Sequence, residues 1–204
     1  MRMYTLNPPG SSVNDHINKE ECSVRFTSVE DAVRICQQIR TDSGCSKVYG
    51  AKIDIRDAFK HVVVRPDQWH LLGSTWNTMD SEGHSVKEYW FSAVLEFGMR
   101  SSPMLFDMFA SGLQHIMEKS GACNIVRYMD DFATFASTPA ECNKYLDIMI
   151  DVCKQAGFEI QDSKVVRATT CLEFLGIVID NDHLELRISH DRLSEITQLL
   201  CEWH

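Results

Sequence analysis

Asp130 and Asp131 stand side by side in Tyr128-Met129-Asp130-Asp131, between the apolar runs Asn124-Ile125-Val126-Arg127 and Phe132-Ala133-Thr134-Phe135. That pattern predicts strand, tight turn and strand, with two carboxylates at the turn. Adjacent carboxylates repel one another, so a hairpin tip that carries both invites a divalent cation. Asp54 has a similar setting: it ends the run Val48-Tyr49-Gly50-Ala51-Lys52-Ile53 and precedes Ile55-Arg56-Asp57-Ala58-Phe59. If the two strands are neighbours in one sheet, Asp54 and Asp130 face each other across a metal pair. Nucleotidyl transfer to a 3′-hydroxyl needs a lowered hydroxyl pKa, neutralised triphosphate charge and in-line geometry. Two divalent ions about 3.5–4 Å apart supply all three, and carboxylates hold them. Asp54 and Asp130 are the main expected ligands, with Asp131 as a third carboxylate and the Ile55 carbonyl completing the set. Two Mg2+ ions suit such oxygen ligands, with Mn2+ as a substitute. An Asp-Asp pair alone reads better as a solvated turn, since the dipeptide is common. The flanking β-branched and aromatic residues, and a second aspartate at a strand end, favour the metal site.

The elements that must position these groups follow from periodicity. Residues 1–27 carry no periodic apolar pattern, and Asn7-Pro8-Pro9-Gly10-Ser11-Ser12 is turn chemistry. Ser28 at an N-cap with Asp31 three residues on opens a helix, whose apolar stripe is Ala32, Val33, Ile35, Cys36 and Ile39 and whose end is Thr41-Asp42-Ser43-Gly44. Strands are expected at 48–55, 61–65, 70–76 and 88–95, with the polar span from Asn77 to Lys87 as a long hairpin tip. Ser102-Pro103 begins a second helix along Leu105, Phe106, Phe109, Leu113, Ile116 and Met117 to Gly121. Thr138, Pro139 and Glu141 start a third, with Tyr145, Leu146, Ile148, Met149 and Val152 on its apolar face up to Gly157. A strand over residues 174–179 is expected to pair through Asp180-Asn181-Asp182 with residues 184–188, before a last helix from Ser189. Loose alternation of strands and helices, with several hairpins, predicts an α+β fold: helices on one face of a mainly antiparallel sheet.

Size and composition bound the function. The chain has 204 residues, 44% hydrophobic and 24% charged, as in an ordinary globular protein of one or two domains. No stretch approaches the roughly 18–20 apolar residues that span a bilayer, so no membrane partner is expected. The N-terminus lacks an apolar signal core. Eight scattered cysteines without a C-x-x-C pair read as reduced, mostly buried thiols rather than disulfides or zinc ligands. Both features predict an intracellular, non-secreted protein of cytoplasm or nucleus. The net charge of −9 counts against a nucleic-acid partner. Part of that objection dissolves if several carboxylates are metal ligands and the basic surfaces lie elsewhere.

The chain resembles the reverse transcriptase (RNA-directed DNA polymerase) family, and most closely its DIRS-type retrotransposon branch. Lys52-Ile53-Asp54-Ile55-Arg56-Asp57-Ala58-Phe59 resembles the first palm motif, and Leu95-Glu96-Phe97-Gly98-Met99-Arg100-Ser101-Ser102-Pro103 the second. Tyr128-Met129-Asp130-Asp131 is similar to the hallmark third. Ala156-Gly157-Phe158 leading to Lys164 resembles the fourth, and Phe174-Leu175-Gly176 the fifth. Pro9-Gly10-Ser11-Ser12-Val13-Asn14-Asp15 is similar to a stretch of the DIRS branch. Glu96 and Ser101 depart from the family pattern, where proline and a glycine, alanine or asparagine are usual.

The resemblance implies partial fingers over 1–47, a palm over 48–188 with a finger insertion about 60–95, and 189–204 as the start of a thumb or a connecting helix. A thumb is otherwise largely absent, and of the basic finger residues that clamp a triphosphate only Arg2 is a candidate. It also implies roles. Asp54, Asp130, Asp131 and Lys164 would be catalytic, with Lys164 protonating the pyrophosphate leaving group; composition alone reads Lys164 as a solvated lysine. Backbone N–H groups of Arg56, Asp57 and Ala58 would meet the triphosphate, and Gly98 would let backbone approach template and nucleotide. Phe59 would screen the sugar for a 2′-hydroxyl, or be a core phenylalanine, or both. Phe174, Leu175 and Gly176 would grip the primer end, against a plain core strand. The implied partners are an RNA or DNA template with its primer, dNTPs, and neighbouring ribonuclease H and other retroelement domains of a polyprotein. The alternative reading is a truncated, non-catalytic relic that keeps the fold and serves at most as a nucleic-acid or protein binding module.

Overall fold

The structure, a computed structural model, describes residues 4–5 and 12–203; Arg2 and the turn residues 7–11 lie outside the described residues. In chain order the elements begin β1 (Tyr4–Thr5), α1 (Val29–Ser43), β2 (Tyr49–Asp54), β3 (Gly73–Met79), β4 (Ser85–Phe91) and α2 (Ser102–Lys119). They continue β5 (Ile125–Tyr128), β6 (Asp131–Ala136), α3 (Pro139–Gln155), β7 (Val166–Thr169), β8 (Cys171–Phe174), β9 (Ile177–Asp180), β10 (Glu185–Ile188) and α4 (His190–Glu202). The chain divides into two compact units, residues 1–24 with 57–109, and residues 25–56 with 110–204.

The second unit is built on an antiparallel sheet of order β5-β6-β2-β7. In β2, Gly50, Ala51, Ile53 and Asp54 are buried, so both faces of the strand are covered, as a central strand requires. Directly paired residues share a face, which puts Gly50, Lys52 and Asp54 with Phe135, Ala133 and Asp131. Most of that face is core: Ala32 and Cys36 of α1 pack with Val48, Val126, Ala133, Phe135, Leu172 and Phe174. Helix α1 is held by a capping box, in which Ser28 Oγ accepts the Asp31 N–H and the Asp31 carboxylate accepts the Ser28 N–H. Helix α3 starts at Thr138, whose side chain accepts the Glu141 N–H, and packs against β2, β6 and β7. Its buried Cys142, Tyr145, Leu146, Met149, Val152 and Cys153 recur at helical spacing. Strands β8, β9 and β10 form a second antiparallel sheet of this unit.

In the first unit β3 pairs with both β1 and β4. Here the structure departs from the expected elements. Residues 61–65 do not form a strand: Val63 makes only an isolated bridge to Val94, with Leu95 N–H reaching the Val62 carbonyl and Val64 N–H the Ala93 carbonyl. Pro66 then opens a 3-10 segment, Pro66–Leu72, which delays β3 to Gly73. The expected long tip shrinks to residues 80–84, because the Asp80 carboxylate accepts the N–H groups of Glu82 and His84 and closes the turn. Residues 174–179, expected as one strand, are the hairpin β8–β9. Leu175 and Gly176 hold φ of 55° and 76°, and two left-handed residues in succession turn the chain back. Strands β7 and β8 were not anticipated from periodicity.

Gly50 is fixed by packing. A Cβ there would lie 2.8 Å from Leu172 Cδ2 and 2.9 Å from Phe135 Cε1. Gly50→Val is expected to cost about 1–3 kcal/mol of stability by overpacking, measured as a lower midpoint of denaturant unfolding with an unchanged slope.

Candidate functional site

Pairing of β2 with β6 sets Asp54 directly opposite Asp131, so both carboxylates leave the same face at one end of the sheet. Strands β5 and β6 join through the two-residue turn Met129-Asp130, in which Met129 holds a left-handed φ of 56°. The Ile55 N–H donates to the Asp130 carbonyl at 3.0 Å and ties the residue after Asp54 to that turn. On the other side, Arg56 N–H donates to the Glu159 carbonyl at 2.9 Å and Gln161 N–H to the Asp54 carbonyl at 2.8 Å, around the bridge Ile55–Ile160. The end of β2 is therefore clamped from both neighbours. All three expected carboxylates meet there. Asp131, and not Asp130, lies across from Asp54, because the turn takes up Met129 and Asp130.

The electrostatics match three acids held close together. Asp54 is buried, its side chain only 8% exposed. The Asp131 carboxyl is pushed up to about 6, first by burial and then by the charges of Asp54 and Asp130, against the pull of Lys52 and Lys164. Asp130 is also raised, first by burial and then by Asp54. Lys164, on the 3-10 turn Asp162–Lys164, donates to Asp54 Oδ2 at 2.7 Å, and that bond raises the pKa of its ammonium. One lysine at contact distance leaves a surplus of negative charge among hard oxygen donors. Such a donor set fits divalent magnesium or manganese.

The family profile described as "Reverse transcriptase (RNA-dependent DNA polymerase)" matches residues 10–179. The chain belongs to the reverse transcriptase family. It is 30% identical over 135 residues to the Pro-Pol polyprotein of feline foamy virus, covering 66% of this chain and 10% of that protein. With the Gag-Pro-Pol polyprotein of human T-cell leukemia virus 2 it shares 26% over 133 residues, covering 65% of this chain and 9% of that protein. Among solved structures, a foamy viral protease-reverse transcriptase in complex with double-stranded DNA matches with TM-score 0.62 at 20% identity, over 86% of this chain and 26% of that one. Telomerase from Candida albicans matches with TM-score 0.55 at 12% identity, over 87% of this chain and 37% of that one. These likenesses support the α+β palm fold. The chain spans about a tenth of the viral polyproteins it matches.

The reverse transcriptase motifs meet different fates. The Arg56 N–H, expected to face a triphosphate, is engaged by Glu159, and the Arg56 side chain donates to Gln161 Oε1. Asp57, at φ 51°, pairs its carboxylate with Lys60, and Ala58 opens the 3-10 turn Ala58–His61. Phe59 is 8% exposed and packs between Phe97 at 4.9 Å and Phe106 at 5.8 Å between ring centroids, so it is at least a core residue of the first unit. Gly98 holds φ of 85°, which a side chain disfavours. Phe174 is fully buried in the core, so its ring cannot touch a primer; the core-strand reading holds for it. Leu175 and Gly176 form the hairpin turn, and the Gly176 carbonyl accepts from Ser189 N–H. Two residues escaped the sequence: Lys52, signalled by one charge in an apolar strand, and Phe26, whose ring packs on Tyr128 at 4.7 Å from a stretch with no periodic pattern.

A second acidic group, Cys171, Asp180 and Asp182, brings its ligand atoms within 4.8 Å of one another. Its charges are already paired: Asp180 by Arg187 and His183, Asp182 by Lys47 at 2.9 Å and Thr170. This group ties the β9–β10 turn to β8. The His183 N–H, then the His183 ring, hold the Asp180 carboxyl far below the usual range, and that carboxylate raises His183. A depressed carboxyl contributes stability above its unfolded pKa of about 3.9 and loses it as pH falls. The raised His183 contributes below about 6.5 and loses its share as pH rises through its folded value. Asp180→Asn should therefore lower the melting temperature at pH 5–6, and the difference from wild type should shrink towards pH 2, as thermal unfolding across that range will read.

Proposed function

We propose that the chain is the polymerase core of a retroelement reverse transcriptase, adding deoxynucleotides to a primer 3′-hydroxyl along an RNA or DNA template. The observation that carries this reading is the meeting of Asp54, Asp130 and Asp131 at one sheet end, with Lys164 against Asp54. The three carboxylates and the Ile55 carbonyl would hold two Mg2+ ions, or Mn2+. Bound there, the ions would lower the pKa of the primer hydroxyl and neutralise triphosphate charge. Lys164 keeps its proton at Nζ beside Asp54, where it is available to a departing pyrophosphate. Backbone at Asp57 and Ala58 would meet the triphosphate, without Arg56. Gly98 would admit close approach of a base pair, and the Phe59 ring would exclude a ribose 2′-hydroxyl. Leu175 and Gly176 would grip the primer through backbone.

The sequence stretch Pro9-Gly10-Ser11-Ser12-Val13-Asn14-Asp15 supports a DIRS-type retrotransposon origin, while the polyproteins compared above are viral. Residues 1–47 are read as partial fingers, 48–188 as palm with a finger insertion about 60–95, and 189–204 as the start of a thumb or connecting helix. The protein would work inside the cell, in cytoplasm or nucleus, beside ribonuclease H and other retroelement domains. The foamy viral enzymes were solved with an RNA/DNA hybrid and with double-stranded DNA, which supports a primer-template as partner. The net charge of −9 counts against a nucleic-acid partner and keeps a second reading in play, a non-catalytic relic that retains the fold and serves at most as a nucleic-acid or protein binding module.

Primer extension by this chain, alone and in any longer protein that carries it, decides between them. Asp130→Asn should reduce extension by about a hundredfold or more, since even groups behind a metal ligand are worth 10–100-fold. Phe59→Ala should raise ribonucleotide incorporation relative to deoxynucleotide by about tenfold or more while leaving deoxynucleotide extension largely intact. Undiminished extension by Asp130→Asn would overturn the polymerase reading; unaltered sugar selection in Phe59→Ala would overturn the gate alone.

A further inference from the structure

The loop that carries Gly98 is held by a residue far from it in sequence. Asn14 Nδ2 donates to the Gly98 carbonyl at 2.8 Å, and Asn14 Oδ1 accepts the Arg100 N–H at 2.7 Å. The Asn14 amide, with its oxygen and its NH2 on one planar carbon, thus brackets the backbone between Gly98 and Arg100 with one donor and one acceptor. Arg100 adds a third bond from Nη1 to the Ile17 carbonyl at 2.8 Å.

The support beneath Asn14 is itself rigid. It lies on the 3-10 turn Val13–His16, where Ser12 Oγ accepts the Asn14 N–H and the Asp15 carboxylate accepts the Ser12 N–H. Packing does not duplicate this hold. A cavity of about 230 Å³, lined in part by Val13, Leu71, Leu72 and Phe97, lies against the loop, and a Cβ at Gly98 would meet nothing within 4 Å. The loop's base is pinned separately, by Ser102 Oγ donating to the Glu96 carbonyl at 2.7 Å. Between base and clamp stands Phe97, 72% exposed, with its ring on Phe59. Asn14 therefore reaches the sugar-screening ring in three steps: amide to Gly98 carbonyl, Gly98 to Phe97, Phe97 ring to Phe59 ring.

We infer that Asn14 is a positioning residue for nucleotide selection: its side-chain amide fixes the Gly98 loop and, through Phe97, the placement of Phe59. The inference rests on the polymerase reading for its functional half only. Asparagine is required because it presents one donor and one acceptor in one plane; aspartate keeps the acceptor for Arg100 N–H and loses the donor to Gly98.

The test compares wild type, Asn14→Ala, Asn14→Asp and the control Asn18→Ala, whose side chain bonds to nearby Glu20 and Glu21. Steady-state primer extension reads KM for a dNTP, kcat and ribonucleotide discrimination. Limited trypsin digestion reads cleavage after Arg100. Asn14→Ala should raise KM about tenfold, the factor that two ordinary exposed hydrogen bonds supply, with kcat within about twofold and weaker discrimination against ribonucleotides. Cleavage after Arg100 should speed up by a similar factor, while Asn14→Asp falls between and Asn18→Ala matches wild type. A fall in kcat with unchanged KM, or unchanged discrimination, would reduce Asn14 to a structural residue and overturn the inference. Equal cleavage in all four proteins would also overturn it. Absence of extension by wild type would instead strike the polymerase reading, and digestion would still judge the clamp.

Discussion

Everything at the candidate site depends on the register of β2 against β6. Pairing Asp54 with Asp131 places two carboxylates on one face of a central strand, and the Met129-Asp130 turn brings the third beside Ile55. Like charges so placed resist folding, and burial adds to that cost: desolvation first, and the neighbouring aspartates after it, raise the Asp131 and Asp130 carboxyls. The register persists because the rest of the same face is apolar and buried. Slipping it by one residue would turn Phe135 and Ala133 away from α1 and bring polar side chains inward. The core of the second unit thus holds the acids together against their repulsion.

That division of labour runs along a single strand. Gly50 of β2 touches Leu172 and Phe135 in the core, Lys52 lies midway and lowers Asp131, and Asp54 ends the strand beside Lys164. Two cations therefore balance the carboxylates from within the sheet and from the turn after α3. Helices contribute unequally. α1 and α3 bury their apolar faces on the sheet, whereas α4 leaves Leu193, Ile196, Leu199 and Leu200 exposed. The strands that carry the acid cluster are covered by α1 and α3.

The first unit solves a different problem, the placement of loops rather than strands. Its aromatic trio Phe59, Phe97 and Phe106 couples the 3-10 turn Ala58–His61 to the Gly98 loop and to α2. A polar clamp from Asn14 fixes the loop where packing leaves a cavity. Hydrogen bonds define direction better than apolar contact, so the Asn14 clamp sets the course of the loop backbone where packing does not. Likeness to foamy viral and telomerase structures at 12–22% identity shows how little sequence this arrangement of sheet and helices needs.

The sequence by itself determined the chemistry and the regular elements. Ser28 with Asp31, and Thr138 with Glu141, marked helix starts that the capping bonds bear out, because capping is local chemistry. The motif order from Asp54 to Gly176 was enough to reach the family, since those residue types recur in a set sequence. Only the tertiary structure decided which backbone groups are engaged and which side chains are buried. Arg56 N–H is taken by Glu159, Phe174 sinks into the core, and the valines at 62–64 bridge once and turn at Pro66. Each of these outcomes depends on a partner distant in the chain or on a turn geometry that alternation of residue types does not encode. The Asn14 clamp is the clearest case. Its residue was legible in the sequence within a polar stretch, but its function arises from the fold that carries it to Gly98.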